Sequence, residues 1–198
     1  MVRDAGDGLQ DTYVIDRVAL YNGRGADTIL CGEPTTAVFD RAAPPEGLNI
    51  MATAKIVPVG PGEIELITDL YNDVFSPRQE PSFFEQRFRG RYNVSMLVAI
   101  VEERHVGFAI GFELMPSTYF SWICGVLPDY RRTGVATQLI QGQRAWAQDN
   151  EYSILRFECQ NQHRPMLHVA ISEGFDAVGI RWDTATGNNV VIFEKDLR

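Results

Sequence analysis

The chain has 198 residues, and 45% of them are hydrophobic, which suits one globular domain with an adequate core. Its formal net charge of −8 argues against a protein built to hold nucleic acid and weakly favours cationic small molecules or basic peptides. No apolar run is long enough to span a bilayer, and acidic residues stand where a signal peptide needs basic and apolar ones. The sequence therefore predicts a cytoplasmic protein with neither a nucleic-acid nor a membrane partner.

Residues 1–50 differ in character from the rest of the chain. They contain Asp-Gly and Asn-Gly dipeptides and the segment Ala-Ala-Pro-Pro-Glu-Gly, which are typical of turns and linkers. We expect residues 1–50 to form a poorly ordered extension, with a mis-called start before Met51 as one explanation. The alternative is a small cap over the active site. Residues 51–198 are predicted to form the folded domain.

From residue 51 onward, alternating or branched apolar runs predict strands, and apolar residues at helical spacing predict helices. The predicted strands are Ala54–Val59, Val94–Val101, Val106–Leu114, Tyr119–Leu127, Ser153–Cys159, Asp176–Trp182 and Asn189–Lys195. The predicted helices are Pro61–Phe75, Glu80–Arg91, Gly134–Ala147 and Pro165–Gly174. We interpret this order as an α/β (α+β) fold with a mixed, mostly antiparallel central sheet of about six to seven strands and helices on both faces.

The three cysteines are Cys31, Cys124 and Cys159, and their spacing matches neither a disulfide framework nor a metal site. Cys124 and Cys159 lie in apolar strand contexts, which favours inert thiols in the core. We therefore expect no metal.

The stretch 119–147 reads as a buried strand, a basic glycine loop and a helix in direct succession. Pro128 ends the strand because proline has no N–H for the strand ladder. The loop places Arg131, Arg132 and Gly134 at a helix start, where unpaired backbone N–H groups and the helix dipole favour an anion. A phosphate or pyrophosphate is the natural ligand. The alternative is an ordinary connection with two solvated arginines.

Two motifs resemble the GNAT N-acetyltransferase superfamily, in particular its small bacterial-type domains. Arg131-x-x-Gly134-x-Ala136, after a strand ending in Val-Leu-Pro-Asp-Tyr, resembles the family's acyl-coenzyme A loop, Gln/Arg-x-x-Gly-x-Gly/Ala. The block 166–175 is similar to the family's helix that ends in Gly-Phe and feeds the next strand. The resemblance covers roughly residues 54–197 and implies the acyl-CoA N-acyltransferase fold.

The resemblance also implies acetyl-CoA as co-substrate. Its pantetheine arm would pair with the end of the Tyr119–Leu127 strand, and its pyrophosphate would lie on the backbone N–H groups of the loop. The implied acetyl-CoA-binding residues are Cys124, Gly125, Val126, Arg131, Arg132, Thr133, Gly134, Val135, Ala136, Thr137, Asn161 and His163.

The sequence departs from the family at the positions that handle protons. Many members have a tyrosine four residues before the glycine of Gly-Phe, and that position is Ala170 here. An acid that serves some members as general base aligns with Phe120. An asparagine often found three residues before the small residue of the last helix aligns with His163, and Asn161 could substitute if the loop shifts. No catalytic residue is therefore assigned. The candidates are Glu113, Glu158, His168 and Tyr119.

Each candidate has a structural alternative. Glu113 and Glu158 lie in apolar strands, where side chains alternate between core and solvent. His168 could accept a proton near neutral pH or simply point outward from its helix. Tyr119 could hold a water that relays protons or pack in the core.

Three functions remain open at this point. The first is an N-acetyltransferase that acts on a primary amine of a small molecule or peptide in a ternary complex. The second is an acyl-CoA-binding module without turnover, and the third is an interaction protein that uses the fold as a scaffold. A homodimer is an open alternative to a monomer.

Overall fold

The structure is a computed structural model that describes residues 51–198, and the expectation about residues 1–50 lies outside the described residues. The strands are β1 (Lys55–Val59), β2 (Ser95–Val101), β3 (Arg104–Met115), β4 (Thr118–Val126), β5 (Ile154–Gln160), β6 (Asp176–Asp183) and β7 (Asn188–Asp196). The α-helices are α1 (Ile64–Val74), α2 (Pro81–Phe88), α3 (Val135–Asp149) and α4 (Arg164–Ser172). Short 3₁₀ turns at Pro61–Glu63 and Pro128–Tyr130 precede α1 and the loop before α3.

The strands form one seven-stranded sheet in the order β1-β2-β3-β4-β5-β7-β6. Every neighbouring pair is antiparallel except β4 and β5, which are parallel. A parallel pair needs a crossover connection, and α3 supplies it. The predicted α/β (α+β) fold with a mixed, mostly antiparallel sheet is confirmed.

Helices cover both faces of the sheet. α1 and α2 pack on one face, here the α1 face, over a core of aromatic and branched residues that includes Phe84, Phe108, Phe120 and Trp122. α3 and α4 pack on the other, the α3 face. The first half of α3 covers β2, β3 and β4, and its second half joins α4 over β5 and β7.

Most predicted element ends lie within one residue of the observed ones, and five differ by two or three residues: the starts of β3 and α1 and the ends of α2, α3 and α4. Glu102 and Glu103 both have positive φ, 48° and 61°, which is the pattern of a two-residue type I′ hairpin turn. β3 therefore begins at Arg104, two residues before the predicted start, because Arg104 already pairs with Val101. α1 begins at Ile64 because the turn from Pro61 is 3₁₀, and α2 ends at Phe88, before Arg91.

Candidate active site

β4 and β5 diverge after a short paired stretch. Ser121 opposite Phe157 is the last pair between them within the described residues. Beyond it, β4 stays paired with β3 and β5 stays paired with β7, so each limb is supported on its outer side. The result is a V-shaped opening in the sheet between residues 122–126 and 158–160, called the fork below.

A β-bulge lies where the fork begins. Ile110 pairs with Ile123 while Gly111 pairs with Ser121, so Trp122 is an extra residue of β4. A bulge bends its strand and interrupts the ladder. It therefore gives a local reason for β4 to turn away from β5.

The loop after β4 enters α3 without a side-chain cap. Gly134 precedes the helix with φ 86°, and no side chain of the described chain caps it. The first backbone hydrogen bond of the helix runs from Gln138 N to Gly134 O at 3.1 Å, so the N–H groups of residues 135–137 have no acceptor within the helix. These amides and the positive end of the helix dipole make this end suited to an anion.

Arg131 and His163 lie together at the wide end of the fork. Arg131 Nε donates to the carbonyl of Val126, the last residue of β4, at 3.2 Å. His163 directly precedes α4, and both burial and the charge of Arg131 lower its pKa. The site thus pairs a guanidinium with a neutral imidazole, while Arg132 is exposed.

The structure places Cys124, Gly125 and Val126 on the β4 limb of the fork. Cys124 is buried on the α3 face, and burial raises the pKa of its thiol to about 12. Gly125 is needed for packing on the other face, because a Cβ there would lie 2.8 Å from the Phe108 ring and 2.9 Å from the Phe75 ring. The part of this limb that faces the fork is therefore its backbone edge.

The other predicted acetyl-CoA residues surround the start of α3 and the end of β5. Val135 is buried, whereas Ala136 and Thr137 are half-buried in the first turn of α3. Thr133 donates its hydroxyl to the carbonyl of the preceding turn at 2.6 Å. Asn161 is exposed just beyond β5, and its backbone amide donates to β7 at 2.8 Å.

The chain that leads into β1 is attached to this loop, a connection that the sequence did not indicate. Ala52 N donates to Thr133 O at 3.0 Å. Gln138 accepts a hydrogen bond from Ala54 N at 2.9 Å and donates one to Ala52 O at 2.7 Å. The partners are more than 80 residues apart, so no local sequence signal could have revealed them.

Among the four candidate catalytic residues, Glu158 is the one placed at the fork. Arg156 pairs in register with Phe120, whose ring lies on the α1 face, and Glu158 is two residues further along β5. Strand residues two apart share a face, so Glu158 lies on the α1 face of the fork. Its side chain is only 9% exposed.

The carboxylate of Glu158 is held by two guanidinium groups. Arg156 Nη2 donates to Oε1 at 3.2 Å, and Arg181 Nε donates to Oε2 at 2.9 Å. An ionised carboxylate offers about four acceptor positions, so these two bonds leave capacity for a further donor.

The other three candidates lie away from this point. Tyr119 is fully buried on the α3 face, its hydroxyl is hydrogen-bonded to Ser95, and burial raises its pKa. Glu113 accepts a hydrogen bond from the Tyr152 hydroxyl at 2.8 Å near the far end of β3. His168 is exposed on α4.

The two positions where the sequence departs from the family are filled by packing. Ala170 is fully buried between α4 and the sheet, and Phe120 is 2% exposed with its ring centroid 5.7 Å from that of Phe112. A tyrosine at position 170 would have to displace core side chains.

One buried polar residue near the fork was missed by the sequence analysis. Gln143 of α3 is fully buried, and its Oε1 accepts a hydrogen bond from Ser121 Oγ at 2.7 Å. The signal was a glutamine midway between Leu139 and Ala147 on the core-facing side of α3, where helical spacing calls for an apolar residue.

No group of three or more histidine, cysteine, aspartate or glutamate side chains within residues 51–198 is arranged to hold a metal ion. No helix in that range is both long and apolar enough to cross a membrane.

Comparisons with solved structures show the same fold. The ribosomal-protein-S18-alanine N-acetyltransferase from Escherichia coli superposes with a TM-score of 0.62 at 16% identity, over 73% of this chain and 94% of that chain. Ard1 from Thermoplasma volcanium gives 0.63 at 16% identity, over 72% and 97%. The protein yncA from Salmonella typhimurium, solved with its cofactor acetyl-CoA, gives 0.61 at 13% identity, over 73% and 94%. At these identities the likeness shows the fold alone.

Sequence comparisons give the family. No curated protein sequence matches significantly. The model of the acetyltransferase (GNAT) family matches residues 64–175, which include the fork, the loop before α3 and the Gly-Phe block. Because this match spans more than half of the 198 residues, the chain belongs to the GNAT acetyltransferase family, whose members use acetyl-CoA.

Proposed function

We propose that this protein is an N-acetyltransferase that moves an acetyl group from acetyl-CoA to a primary amine of a small molecule or peptide in a ternary complex. The observation that carries the proposal is the continuity between the fork and the start of α3. The β4 limb leads through the loop at residues 131–134 to the uncapped amides at 135–137. An acyl-CoA has the matching shape, since an amide-containing arm is attached to a diphosphate.

The residues present fit this co-substrate. The β4 limb offers an open backbone edge, and the amides of residues 135–137 offer donors for a diphosphate. Arg131 and Arg132 can add charge-assisted hydrogen bonds. When bound, acetyl-CoA supplies a thioester as acyl donor.

Proton handling decides which side chains the reaction needs. The amine nitrogen bonds to the acetyl carbon and releases one further proton, the carbon–sulfur bond breaks, and CoA leaves as a thiolate that this proton can neutralise. An alkyl ammonium, with a pKa of about 10.4, must first lose a proton, whereas a thiolate with a pKa of about 8.5 needs little acid help. Alanine at position 170 is compatible with this reaction, and deprotonation of the amine is the main demand.

We assign Glu158 as the group that accepts the proton from the amine. It is a carboxylate on the α1 face where the fork begins, and two arginines fix its orientation. Glu158→Gln keeps the shape and removes the proton acceptor, so kcat/KM should fall about 100-fold or more while the Kd of acetyl-CoA stays unchanged.

The matched control is Glu194→Gln. Glu194 also accepts a hydrogen bond from Arg156, at 3.4 Å, but lies on β7 beside the paired part of β5. It should retain kcat/KM within about three-fold. Equal losses in both variants would show that the arginine network, and not the carboxylate at the fork, matters.

The first test of the function is thiol release from acetyl-CoA with a panel of primary amines. Release that depends on the amine, with kcat/KM rising toward the pKa of the amine, is the expected result. Binding of acetyl-CoA without release in any member of the panel would favour the acyl-CoA-binding module. That second candidate is supported by Phe120 and Ala170, which occupy the usual base and acid positions with buried apolar side chains.

Failure to bind acetyl-CoA would leave the scaffold alternative. A homodimer stays a prediction, and the oligomeric state is measured directly by light scattering.

A further inference from the structure

The guanidinium of Arg181, on β6, uses only one of its three nitrogens in a hydrogen bond. Nε donates to Glu158 at 2.9 Å. Nη1 lies 4.0 Å from a carboxylate oxygen of Asp183, which is an ion pair without a hydrogen bond. Nη2 is buried and has no hydrogen-bond partner within residues 51–198. The side chain is 28% exposed, so the two terminal nitrogens are unused donors of a largely buried cation, and Nη2 becomes accessible to a ligand only when the surrounding atoms shift.

The carboxylates nearby do not supply the missing acceptors. Asp183 Oδ2 accepts from the Thr186 hydroxyl at 2.7 Å, and Oδ1 accepts from the Ala185 amide at 3.3 Å, which closes the β6–β7 turn. Glu194 accepts from Arg156 at 3.4 Å. A partly buried guanidinium whose N–H groups lack hydrogen bonds is unfavourable unless another acceptor binds them.

Arg181 lies beside the fork on its α1 face. It pairs with Val190, which pairs in turn with Gln160, the last residue of the β5 limb. Its side chain reaches back to Glu158, the first residue of the same limb. The donor edge of Arg181 and the carboxylate proposed to receive the amine are therefore adjacent.

The whole α1 face of the fork is rich in arginine. Arg87 lies over the Trp122 ring at 4.9 Å, and Arg91 lies over the Phe112 ring at 5.0 Å. Burial and the charge of Arg91 lower the pKa of Arg87 to about 10, so these two guanidinium groups are close enough to repel. Arg156 and Arg181 lie on the same face, where they pair with Glu158, Glu194 and Asp183.

A carboxylate is the partner that a guanidinium edge with two parallel donors fits best. We propose that the acceptor is a primary amine that also carries a carboxylate, of the amino-acid class, with its carboxylate on the Nη1–Nη2 edge of Arg181. The proposal rests on the acetyl transfer proposed above and narrows its acceptor. It runs against the weak expectation from net charge, which favoured cationic acceptors, because it rests on the unused donors of Arg181 and not on the charge of the whole chain.

The experiment compares each amino acid with its carboxamide, so that the carboxylate is the only group changed. Rates of acetyl transfer are compared per deprotonated amine, because the carboxylate also changes the pKa of the amine. Wild type should prefer the free acids at least ten-fold in kcat/KM. Free amino acids and dipeptides form separate arms, which show whether the carboxylate must be on the residue that bears the amine.

Substitution of Arg181 then tests the residue. Arg181→Gln should reduce the acid-to-amide ratio to about one without changing the Kd of acetyl-CoA, and Arg181→Lys should restore only part of the preference. Arg198→Gln is the control, because Arg198 is 75% exposed and paired with Asp196 at the end of the chain. It should leave the ratio unchanged.

A wild-type ratio near one, or a ratio that Arg181→Gln does not change, would overturn the proposal. The acid-to-amide ratio of the wild type still tests the carboxylate preference if Arg181→Gln does not fold. If acetyl-CoA binds but no amine is acetylated, the proposed acetyl transfer fails independently of the Arg181 site. Calorimetric titration of the CoA-loaded protein with each amino acid and its carboxamide then tests whether the carboxylate is recognised. Binding of the acid alone supports the Arg181 site, and equal or absent binding refutes it.

Discussion

Arg132 has a left-handed backbone conformation, with φ 64°, in the loop before α3. This conformation costs a residue other than glycine about 1–2 kcal/mol. Such residues persist where their surroundings impose them, often at functional sites. Gly134 has φ 86° at little cost, so the arginine is the residue of this loop whose conformation needs an explanation.

We predict that Arg132→Gly weakens acetyl-CoA binding without lowering the stability of the fold. Glycine removes the strain, so the free energy of unfolding should stay equal or rise by up to about 1 kcal/mol. Loss of the guanidinium should weaken acetyl-CoA binding by about three- to ten-fold, and less at high salt. Chemical denaturation and calorimetric titration measure the two effects.

The control for this variant is Glu151→Gly. Glu151 is exposed, has φ 62° and follows α3 at its opposite end. It should gain the same relief of strain without a change in acetyl-CoA affinity. An unchanged affinity in Arg132→Gly as well would show that Arg132 faces solvent in the complex.

Position 134 is less useful as a probe of the phosphate site. A Cβ added to Gly134 would lie 2.6 Å from Met51 Cε, and any side chain would be strained at φ 86°. Reduced acetyl-CoA binding after a Gly134 substitution would therefore combine distortion of the loop with loss of the phosphate site.

The buried pair Ser121 and Gln143 leads to a prediction about stability. Gln143 Nε2 is buried without a partner within the described residues, whereas Oε1 is satisfied by Ser121 Oγ. Replacing both by apolar residues removes the unsatisfied group and the hydrogen bond together. Ser121→Ala/Gln143→Leu should therefore unfold with a free energy equal to wild type or about 1 kcal/mol higher.

Ser121→Ala alone should lower the free energy of unfolding by about 1 kcal/mol, because it leaves both ends of the Gln143 amide unpaired. Equilibrium denaturation of the two single variants and the double variant gives the coupling. A double variant less stable than either single one would contradict this account.

At the scale of elements, the end of β4 and the start of α4 meet through Arg131 and His163. Burial and Arg131 lower the pKa of His163. The unfolded chain, with an ordinary histidine pKa of about 6.5, then binds a proton more readily than the folded one. The free energy of unfolding should therefore fall as pH decreases below about 6.5.

We predict that acetyl-CoA binding is accompanied by proton uptake at His163. A diphosphate near this imidazole favours its charged form, which raises the pKa of His163 above its value in the free protein. Affinity should consequently increase as pH falls from the pKa of His163 in the complex to its lowered pKa in the free protein. Calorimetry in buffers of different ionisation enthalpy measures the protons taken up.

His163→Asn is the variant for comparison, since it keeps a polar side chain that does not titrate. Its proton uptake should fall to the amount taken up by acetyl-CoA itself, because the contribution of the imidazole is lost. Equal uptake in wild type and His163→Asn would place the diphosphate away from α4.

At the scale of the whole molecule, the folded unit includes the short lead-in to β1. The described residues, 51–198, contain three core clusters and the fork. Ala52 and Ala54 add backbone hydrogen bonds to the loop before α3 and to Gln138. The residues just before β1 should therefore affect the loop that precedes α3.

We predict that a chain starting at Met51 folds and binds acetyl-CoA as the full chain does, whereas one starting at Lys55 binds it more weakly. The second truncation removes the bonds to Thr133 and Gln138, which should cost about 1–3 kcal/mol and loosen the loop. Thermal denaturation and acetyl-CoA titration of both truncations give the result. Insolubility of the Met51 chain would show that residues 1–50 complete the core.

The sequence alone determined the elements and the family. Strand alternation, helical spacing and the proline and glycine punctuation are local, so the order of strands and helices followed from them. The motif Arg131-x-x-Gly134-x-Ala136 and the Gly-Phe block are also local, and they led to the acetyltransferase family that the comparison confirms.

Only the tertiary structure decided which side chains meet. Alternation states that Tyr119 and Phe120 face opposite sides of a sheet, but not which side carries the fork. It gives no reason for β7 to lie between β5 and β6, and that placement lets Arg181 of β6 reach Glu158 of β5. Strand neighbours and faces are set by packing among residues far apart in the chain, so the acceptor side of this site could be found only in the folded protein.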